Sequence, residues 1–254
     1  MNLITFFTSI NRFIFKHPTW VMFMAFAALI NGFAQYLRIA RLLAQTGDNA
    51  YALPPSVSYM THDVVIFCIT VLCALLVLAG HFYTLAHVRH GHQSLLSEIT
   101  KVFHALMKAP WYFLSIVLGT LSSWFAWSLR FGDTDNTRIA LALVGGGIIS
   151  LALLFAPQLL YDKQYALRDV LMLSFSYAKK GCKQLLGLIG IIFLYALLYV
   201  IGVFALGGPH VLGGQAVLPT WIAWTIFIAG KILPFYMGLL GTVGLNMIYD
   251  RVRK

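Results

Sequence analysis

Residues 64–85 read VVIFCITVLCALLVLAGHFYTL and contain no Asp, Glu, Lys or Arg. A run of about 20 apolar residues is long enough for a helix to cross the hydrocarbon core of a bilayer. The whole chain shares this bias, since 60% of its 254 residues are hydrophobic and only 10% are charged. Soluble domains contain roughly 25% charged residues, so the composition excludes an ordinary water-soluble globule. We therefore expect an integral membrane protein.

Other runs along the chain have the same length and character. Together they predict an all-α, polytopic protein with six transmembrane helices in a single transmembrane domain, residues 1–254. The first run lacks a convincing signal-peptide cleavage site, so we expect it to be retained. The predicted spans are Trp20–Leu37, Val64–Leu85, Trp111–Leu129, Ile139–Tyr161, Leu185–Leu206 and a final run, Thr220–Tyr249.

The basic residues are distributed unevenly about these spans. With six alternating spans, most of the 18 Lys and Arg residues fall on the side that holds both termini. The positive-inside rule then predicts cytoplasmic N- and C-termini, and the short loops favour a bacterial inner membrane. A net charge of +10 on residues that flank apolar runs points to anionic membrane lipid as the partner and not to nucleic acid.

The segments before the first, third and fifth spans carry apolar residues at helical spacing, with basic residues opposite. This pattern predicts three amphipathic helices in the inner interface, and it places Glu98 on the polar side of the second. Each segment runs into a Pro or Gly that turns the chain into the next span, at Pro18, Pro110 and Gly181. The candidate contacts for lipid headgroups or a partner are Lys16, Lys101, Lys108, Lys179, Lys180 and Lys183.

Parts of the chain resemble one another. Gln93–Lys108 aligns without gaps with Gln164–Lys179, which pairs Glu98 with Asp169. The fourth and sixth spans also end alike, at Tyr161-Asp162-Lys163 and Tyr249-Asp250-Arg251. We predict three pseudo-repeats, approximately residues 1–91, 92–162 and 163–254, each an interfacial helix followed by a hairpin of two spans.

Residues 153–193, LLFAPQLLYDKQYALRDVLMLSFSYAKKGCKQLLGLIGIIF, carry a family resemblance. They resemble the YciC-like bacterial inner-membrane proteins and are similar to the membrane domain of some glycerophosphodiester phosphodiesterases. The resemblance implies a polytopic helical protein and supplies no catalytic residues. The matching positions are Pro157, Ala166, Leu167, Ser174, Lys179 and Lys180.

Lys231 stands out as an ionisable residue well inside an apolar run, which makes it a candidate site by default. Counting back from Tyr249 places it about 27 Å above the inner end of the final span. At that height an ammonium group can snorkel to the headgroups, and residues 220–225 would form an aromatic belt or an interfacial turn. We favour the snorkelling anchor over a buried ion or substrate site.

Glycines recur in two predicted spans. Gly145, Gly146 and Gly147 lie in the fourth, and Gly238, Gly241 and Gly244 lie in the sixth. Small residues let membrane helices approach closely. We interpret the second set, which falls near one helix face, as internal packing and less readily as a dimer interface.

Residues typical of catalysis or metal binding do not form recognisable patterns. His81, His87, His90 and His92 cluster where the second span ends, but Gly91 interrupts the helix and no thiolate or carboxylate lies nearby in sequence. The sequence also lacks a P-loop, a dinucleotide-binding glycine pattern and a Ser-His-Asp order. We therefore expect no catalytic residues, no metal and no cofactor, and we do not expect an enzyme.

Two functions remain open from the sequence. Three basic amphipathic helices on one face favour a non-enzymatic integral membrane protein that organises or senses membrane lipid or supports a membrane complex. The alternative is a small-solute or lipid transporter or channel, favoured by the repeats, the Gly and Pro residues within spans and Lys231. The expected partners are membrane lipids, with a protein partner or a homo-oligomer as further candidates.

Overall fold

The computed structural model describes residues 2–45, 59–91, 94–119, 152–205 and 220–254, and over these residues the chain is all-helical. The predicted spans around 120–151, with Gly145, Gly146 and Gly147, lie outside the described residues. The helices are α1 (Leu3–Lys16), α2 (Pro18–Gln45), α3 (Tyr59–His90), α4 (Leu95–Lys108), α5 (Pro110–Gly119), α6 (Ala156–Tyr161), α7 (Leu167–Lys180), α8 (Cys182–Ala205) and α9 (Thr220–Arg253).

Several of these helices are suited to a bilayer. By length and composition, three segments of the described chain could each cross a membrane: Val64–His90, Cys182–Gly202 and Ile232–Arg253. The number rises to five if α1 with α2, and α4 with α5, each form one broken span. The all-helical prediction is thus confirmed and these helices are consistent with a membrane protein, whereas six spans go beyond what the described residues contain.

The predicted breaks before two of the spans are present. The axis of α1 turns by 86° into α2 at Pro18, and α4 turns by 98° into α5 at Pro110. Proline is suited to the first position of a helix because its missing N–H would have no intrahelical acceptor there. The third break lies at Gly181, where an added Cβ would come within 2.7 Å of Cγ2 of Ile248.

The helices α3 and α9 form the centre of the bundle. Helix α3 packs against α2, α4, α6 and α9, and α9 also packs against α1, α2, α7 and α8. The buried core includes Trp20, whose Nε1 donates a hydrogen bond to the carbonyl oxygen of Gly80 at 3.2 Å. Because Gly80 has no side chain, the indole and Met24 of α2 lie directly against the backbone of α3.

Two details of the predicted spans are corrected. Residues 153–155 form a turn, so the predicted fourth span is not continuous up to Tyr161. Helix α6 starts at Ala156 because Pro157, which lacks an N–H, fits the first turn of a helix and not its interior. Residues 220–225 are helical and do not form an interfacial turn, since no proline follows Pro219 until Pro234.

The three amphipathic helices bury equivalent positions. Helices α1, α4 and α7 each have 14 residues and end at a lysine, and their fourth and eighth residues are buried. These buried residues are Phe6 and Ile10, Glu98 and Val102, and Val170 and Ser174. Counted from the helix starts, Glu98 lies at the position of Val170, one residue away from the predicted pairing with Asp169.

The glycines of α9 differ in their surroundings. A Cβ at Gly244 would lie 2.9 Å from Cδ2 of Leu188 and 3.3 Å from Cδ1 of Ile10, whereas a Cβ at Gly238 would meet nothing within 4 Å. Internal packing is thus confirmed at Gly244, and Gly238 is exposed.

We expect Gly244→Ala and Gly238→Ala to change stability in opposite directions. The first overpacks the contact with α1 and α8 and should cost about 1–2 kcal/mol. The second replaces a flexible residue in a helix interior and should gain up to about 1 kcal/mol. Thermal unfolding of the purified protein in one detergent checks both. A loss of stability in the Gly238→Ala variant would contradict the open environment of that residue.

Candidate functional site

Three helix ends meet at one guanidinium group. Nη1 and Nη2 of Arg89, near the end of α3, donate to the two carboxylate oxygens of Asp162 at 2.5 and 3.2 Å. Nε of Arg89 donates to Oδ1 of Asp250 in α9 at 3.1 Å. The same guanidinium group lies 5.7 Å from the ring centroid of Tyr161 and 5.6 Å from that of Tyr249. All three guanidinium nitrogens of Arg89 therefore donate to carboxylate oxygens.

Further groups complete this cluster. The hydroxyl of Tyr249 donates to Oδ2 of Asp162 at 2.5 Å, and Nη1 of Arg253 lies 2.9 Å from Oδ1 of the same carboxylate. Nζ of Lys254 lies 2.9 Å from Oδ2 of Asp250. Because Asp162 and Asp250 are both engaged by cations, the cluster ties α3, α6 and α9 together and has a structural role.

A groove opens beside this cluster, between α4 and α6. Its volume is about 630 Å³, and its floor is apolar, formed by Phe82, Ala105 and Leu160. Its remaining lining is polar and mostly cationic or hydroxyl-bearing, and it consists of Ser97, Thr100, Lys101, His104, Tyr161, Lys163 and Tyr165. An apolar floor with convergent polar groups is typical of a small-molecule site, and the amines and hydroxyls are suited to an anion.

One wall of the groove rests on a buried carboxylate. Glu98 has no exposed surface, and its Oε1 accepts a hydrogen bond from Nζ of Lys101 at 2.6 Å. The ammonium group also lies 5.5 Å from the ring centroid of Tyr161. Burial by itself lowers the pKa of Lys101, but the hydrogen bond and the charge of Glu98 outweigh it and raise that pKa. The prediction that Glu98 faces the polar side of α4 was wrong, because its charge is neutralised within the fold.

The other wall ends in an unusual backbone conformation. Lys163 has a φ of 63°, in the left-handed region. Its N–H bonds to the carbonyl of Leu160 and the N–H of Gln164 bonds to that of Leu159, both at 3.0 Å. This pair of bonds is a Schellman motif, in which glycine is the usual residue at the left-handed position. Lys163 therefore places a lysine side chain at a helix-end position that glycine usually occupies.

Comparisons with protein-family models, with curated proteins and with solved structures found no match to this chain. Among the described residues, no three His, Cys, Asp or Glu side chains lie close enough together to hold a metal ion.

The six predicted contact lysines are all exposed, but the structure does not bring them together. Only Lys101 lines the groove. Three others are the last residues of their amphipathic helices, and Lys179 and Lys183 flank the break at Gly181. Lys231 lies within α9, and its side chain is outside the described part of the chain. Lys163 and His104 were missed, although Lys163 lies two residues after the end of a predicted span.

Polar side chains also meet inside the bundle. Nε2 of Gln158 and Nδ2 of Asn246 lie 3.5 and 3.4 Å from Nδ1 of His81. Within the described residues, Oε1 of Gln158 and Oδ1 of Asn246 are buried without a hydrogen-bond partner. His81 lies nine residues, about 13 Å, before the end of α3 at His90. A histidine within an apolar run was the available signal.

Proposed function

We propose that this protein is a non-enzymatic integral membrane protein that binds and organises anionic lipid at one face of the bilayer. The observation that carries the proposal is the pair of bends, 86° and 98°, by which α1 and α4 turn away from the helices that follow. A helix at right angles to a span lies along the membrane surface. Amphipathic helices in that position bind lipid through apolar burial and through cations among the headgroups.

The exposed residues of these helices support this proposal. Ile4 and Phe15 of α1, and Phe103 and Met107 of α4, are large apolar side chains with more than half of their surface exposed. Lys16 and Lys108 are exposed at the ends of the same helices. A lipid interface accommodates both kinds of side chain, because acyl chains cover the first and headgroups pair with the second.

We further propose that the chain consists of three equivalent units of an interfacial helix and a two-span hairpin. Support comes from the equal lengths and matching buried positions of α1, α4 and α7. Arg89, Asp162 and Asp250, which meet in one ionic cluster, lie at comparable points near the ends of α3, α6 and α9. Basic helix ends on one face suit cytoplasmic termini, and the resemblance to YciC-like proteins suits a bacterial inner membrane.

The proposal predicts greater stability in anionic lipid. We expect the wild-type protein to melt at a higher temperature in phosphatidylglycerol nanodiscs than in phosphatidylcholine nanodiscs. Replacing Lys179, Lys180 and Lys183 with Gln should remove most of that difference, since each cation near the surface contributes about 1 kcal/mol to lipid binding. The variant with Arg at all three positions keeps the charges and should retain the difference in melting temperature. Equal melting temperatures of the wild type in both lipids would overturn the proposal.

A transporter or channel is the second candidate. The observation that favours it is the polar group of His81, Gln158 and Asn246 between α3, α6 and α9, with two buried oxygen atoms that lack partners among the described residues. Discontinuous helices and buried polar groups near the middle of a bundle are typical of transport sites. Solute flux into proteoliposomes that disappears in an Asn246→Leu variant would favour this candidate over lipid organisation.

A further inference from the structure

We propose that the groove between α4 and α6 binds the phosphate of an anionic lipid headgroup. This inference rests on the proposed function and names a specific site within it. The groove has a volume of about 630 Å³. Sites for small molecules have about 300–1,000 Å³, so the volume suits a headgroup and the first part of an acyl chain.

The charges of the groove select the anion. Lys101 and Lys163 supply ammonium groups from opposite walls, and His104 adds a third basic side chain. Glu98 balances the charge of Lys101, but its Oε2 is turned into the protein and fully buried. Asp162, next to Lys163, is occupied by Arg89 and Arg253. In the described part of the chain Lys163 makes no ion pair, so its charge is available to a ligand.

The hydroxyl groups of Ser97, Tyr161 and Tyr165 add neutral donors to the same groove, whereas the hydroxyl of Thr100 already donates to the carbonyl oxygen of Leu96 at 3.1 Å. Phosphate oxygens accept several hydrogen bonds at once, and charge-assisted bonds to amines are stronger than neutral ones. Two amines with several hydroxyls therefore suit a phosphate better than a carboxylate, which has fewer acceptor oxygens. The apolar floor of Phe82, Ala105 and Leu160 suits the hydrocarbon attached to it.

The backbone at Lys163 provides independent support. A side chain in the left-handed region costs roughly 1–2 kcal/mol relative to glycine. A lysine at this position of a Schellman motif therefore lowers the stability of the helix end. Strain of this kind is typical of positions where the side chain itself is used.

The position of the groove favours lipid over soluble phosphate as the source of the anion. Helix α4, which forms one wall, exposes Leu96, Phe103 and Met107. In a membrane interface these side chains lie among the acyl chains, at the depth where a headgroup phosphate is adjacent. A phosphate that enters with its lipid also covers the apolar floor.

The test uses the purified full-length protein in a neutral detergent. The probes are short-chain phosphatidylglycerol, short-chain phosphatidylcholine and inorganic phosphate, and the measurement is the dissociation constant by native mass spectrometry or calorimetry. We expect Lys163→Gly to weaken phosphatidylglycerol binding about fivefold to tenfold, the effect of one cation near the surface. The same variant should melt no lower than the wild type, because glycine relieves the backbone strain.

Two matched variants complete the design. Lys163→Arg keeps the charge and should bind within twofold of the wild type. Arg251→Gln removes an exposed cation near the end of α9 that does not line the groove, and it should also leave binding unchanged. Lys101 is unsuitable for this test, because replacing it would leave the buried carboxylate of Glu98 without its cation and would destabilise the fold.

Each remaining outcome overturns the inference. If the wild type and Lys163→Gly bind phosphatidylglycerol equally well, the groove is not the phosphate site. Equal affinity for inorganic phosphate and for phosphatidylglycerol would assign it to a soluble anion. If the wild type still melts higher in phosphatidylglycerol nanodiscs in either case, the proposed function stands and only the groove is excluded. If that difference is absent, the proposed function fails separately.

Discussion

Replacing Arg89 with Met is expected to lower the free energy of unfolding by about 3–5 kcal/mol, the usual cost of breaking a buried ion pair from one side. The side chains of Arg89 and Asp162 are both only 11% exposed. Without the guanidinium group, Asp162 and Asp250 would be left with charges that water reaches poorly. Thermal unfolding in detergent, followed by fluorescence-detected size exclusion, measures the loss.

The matched control for this variant is Arg253→Met. Arg253 pairs with the same carboxylate at 2.9 Å, but its side chain is 46% exposed. An exposed ion pair contributes at most about 1 kcal/mol, so this variant should be close to the wild type. Arg89→Lys should fall between the two, since a lysine keeps the charge but cannot bond Asp162 and Asp250 together in the planar geometry of arginine. Equal effects at positions 89 and 253 would contradict a central role for Arg89.

The second large effect is expected at Lys101. Replacing Lys101 with Met leaves the carboxylate of Glu98, which has no exposed surface, without a cation, and should cost about 3 kcal/mol. The reverse change, Glu98→Gln, should cost about 1 kcal/mol, because the side chain of Lys101 is 45% exposed and can be hydrated. Chemical or thermal unfolding of the two single variants measures this asymmetry.

The double variant tests the cause of the asymmetry. Glu98→Gln combined with Lys101→Met removes both charges and should recover most of the loss seen in Lys101→Met. Additive effects of the two substitutions would show that the ion pair is not the source of the asymmetry.

The raised pKa of Lys101 also determines how the stability of the protein depends on pH. A raised lysine pKa gives stability that is present below the ordinary value of 10.5 and is lost as the pH rises above it.

The breaks between helices could be predicted from single residues. Pro18 and Pro110 end one helix and start the next because proline lacks an N–H, and this rule needs no tertiary contact. The turn at residues 153–155 follows the same rule through Pro157, but the apolar character of the surrounding run obscured it. Local backbone chemistry thus located the bends, whereas apolar composition set the span boundaries less accurately.

The orientation of α4 about its axis was harder to predict. Sequence pattern assigns a charged residue to the polar side of an amphipathic helix, which is correct for the exposed Lys101 and Lys108. It fails for Glu98, because Lys101 neutralises the carboxylate within the fold. The burial of a charge depends on its partner, and the partner's position is a property of the packed structure.

The groove was only partly accessible from the sequence. Lys101 was singled out because it lies on a basic amphipathic helix, and Tyr161-Asp162-Lys163 because a similar triplet ends the predicted sixth span. Nothing in the sequence joins these two segments into one cavity. The left-handed conformation of Lys163 was equally inaccessible, since a lysine gives no sign of a position that usually holds glycine.

The sequence by itself determined the class of the protein, its long apolar helices and the breaks at Pro18 and Pro110. These features follow from local rules, because a backbone in hydrocarbon must satisfy its own hydrogen bonds and proline cannot. Only the tertiary structure decided that Arg89 meets Asp162 and Asp250, and that Lys101 and Lys163 face one groove. Such contacts join residues as far as 161 positions apart, so they depend on how the helices pack and not on any local pattern.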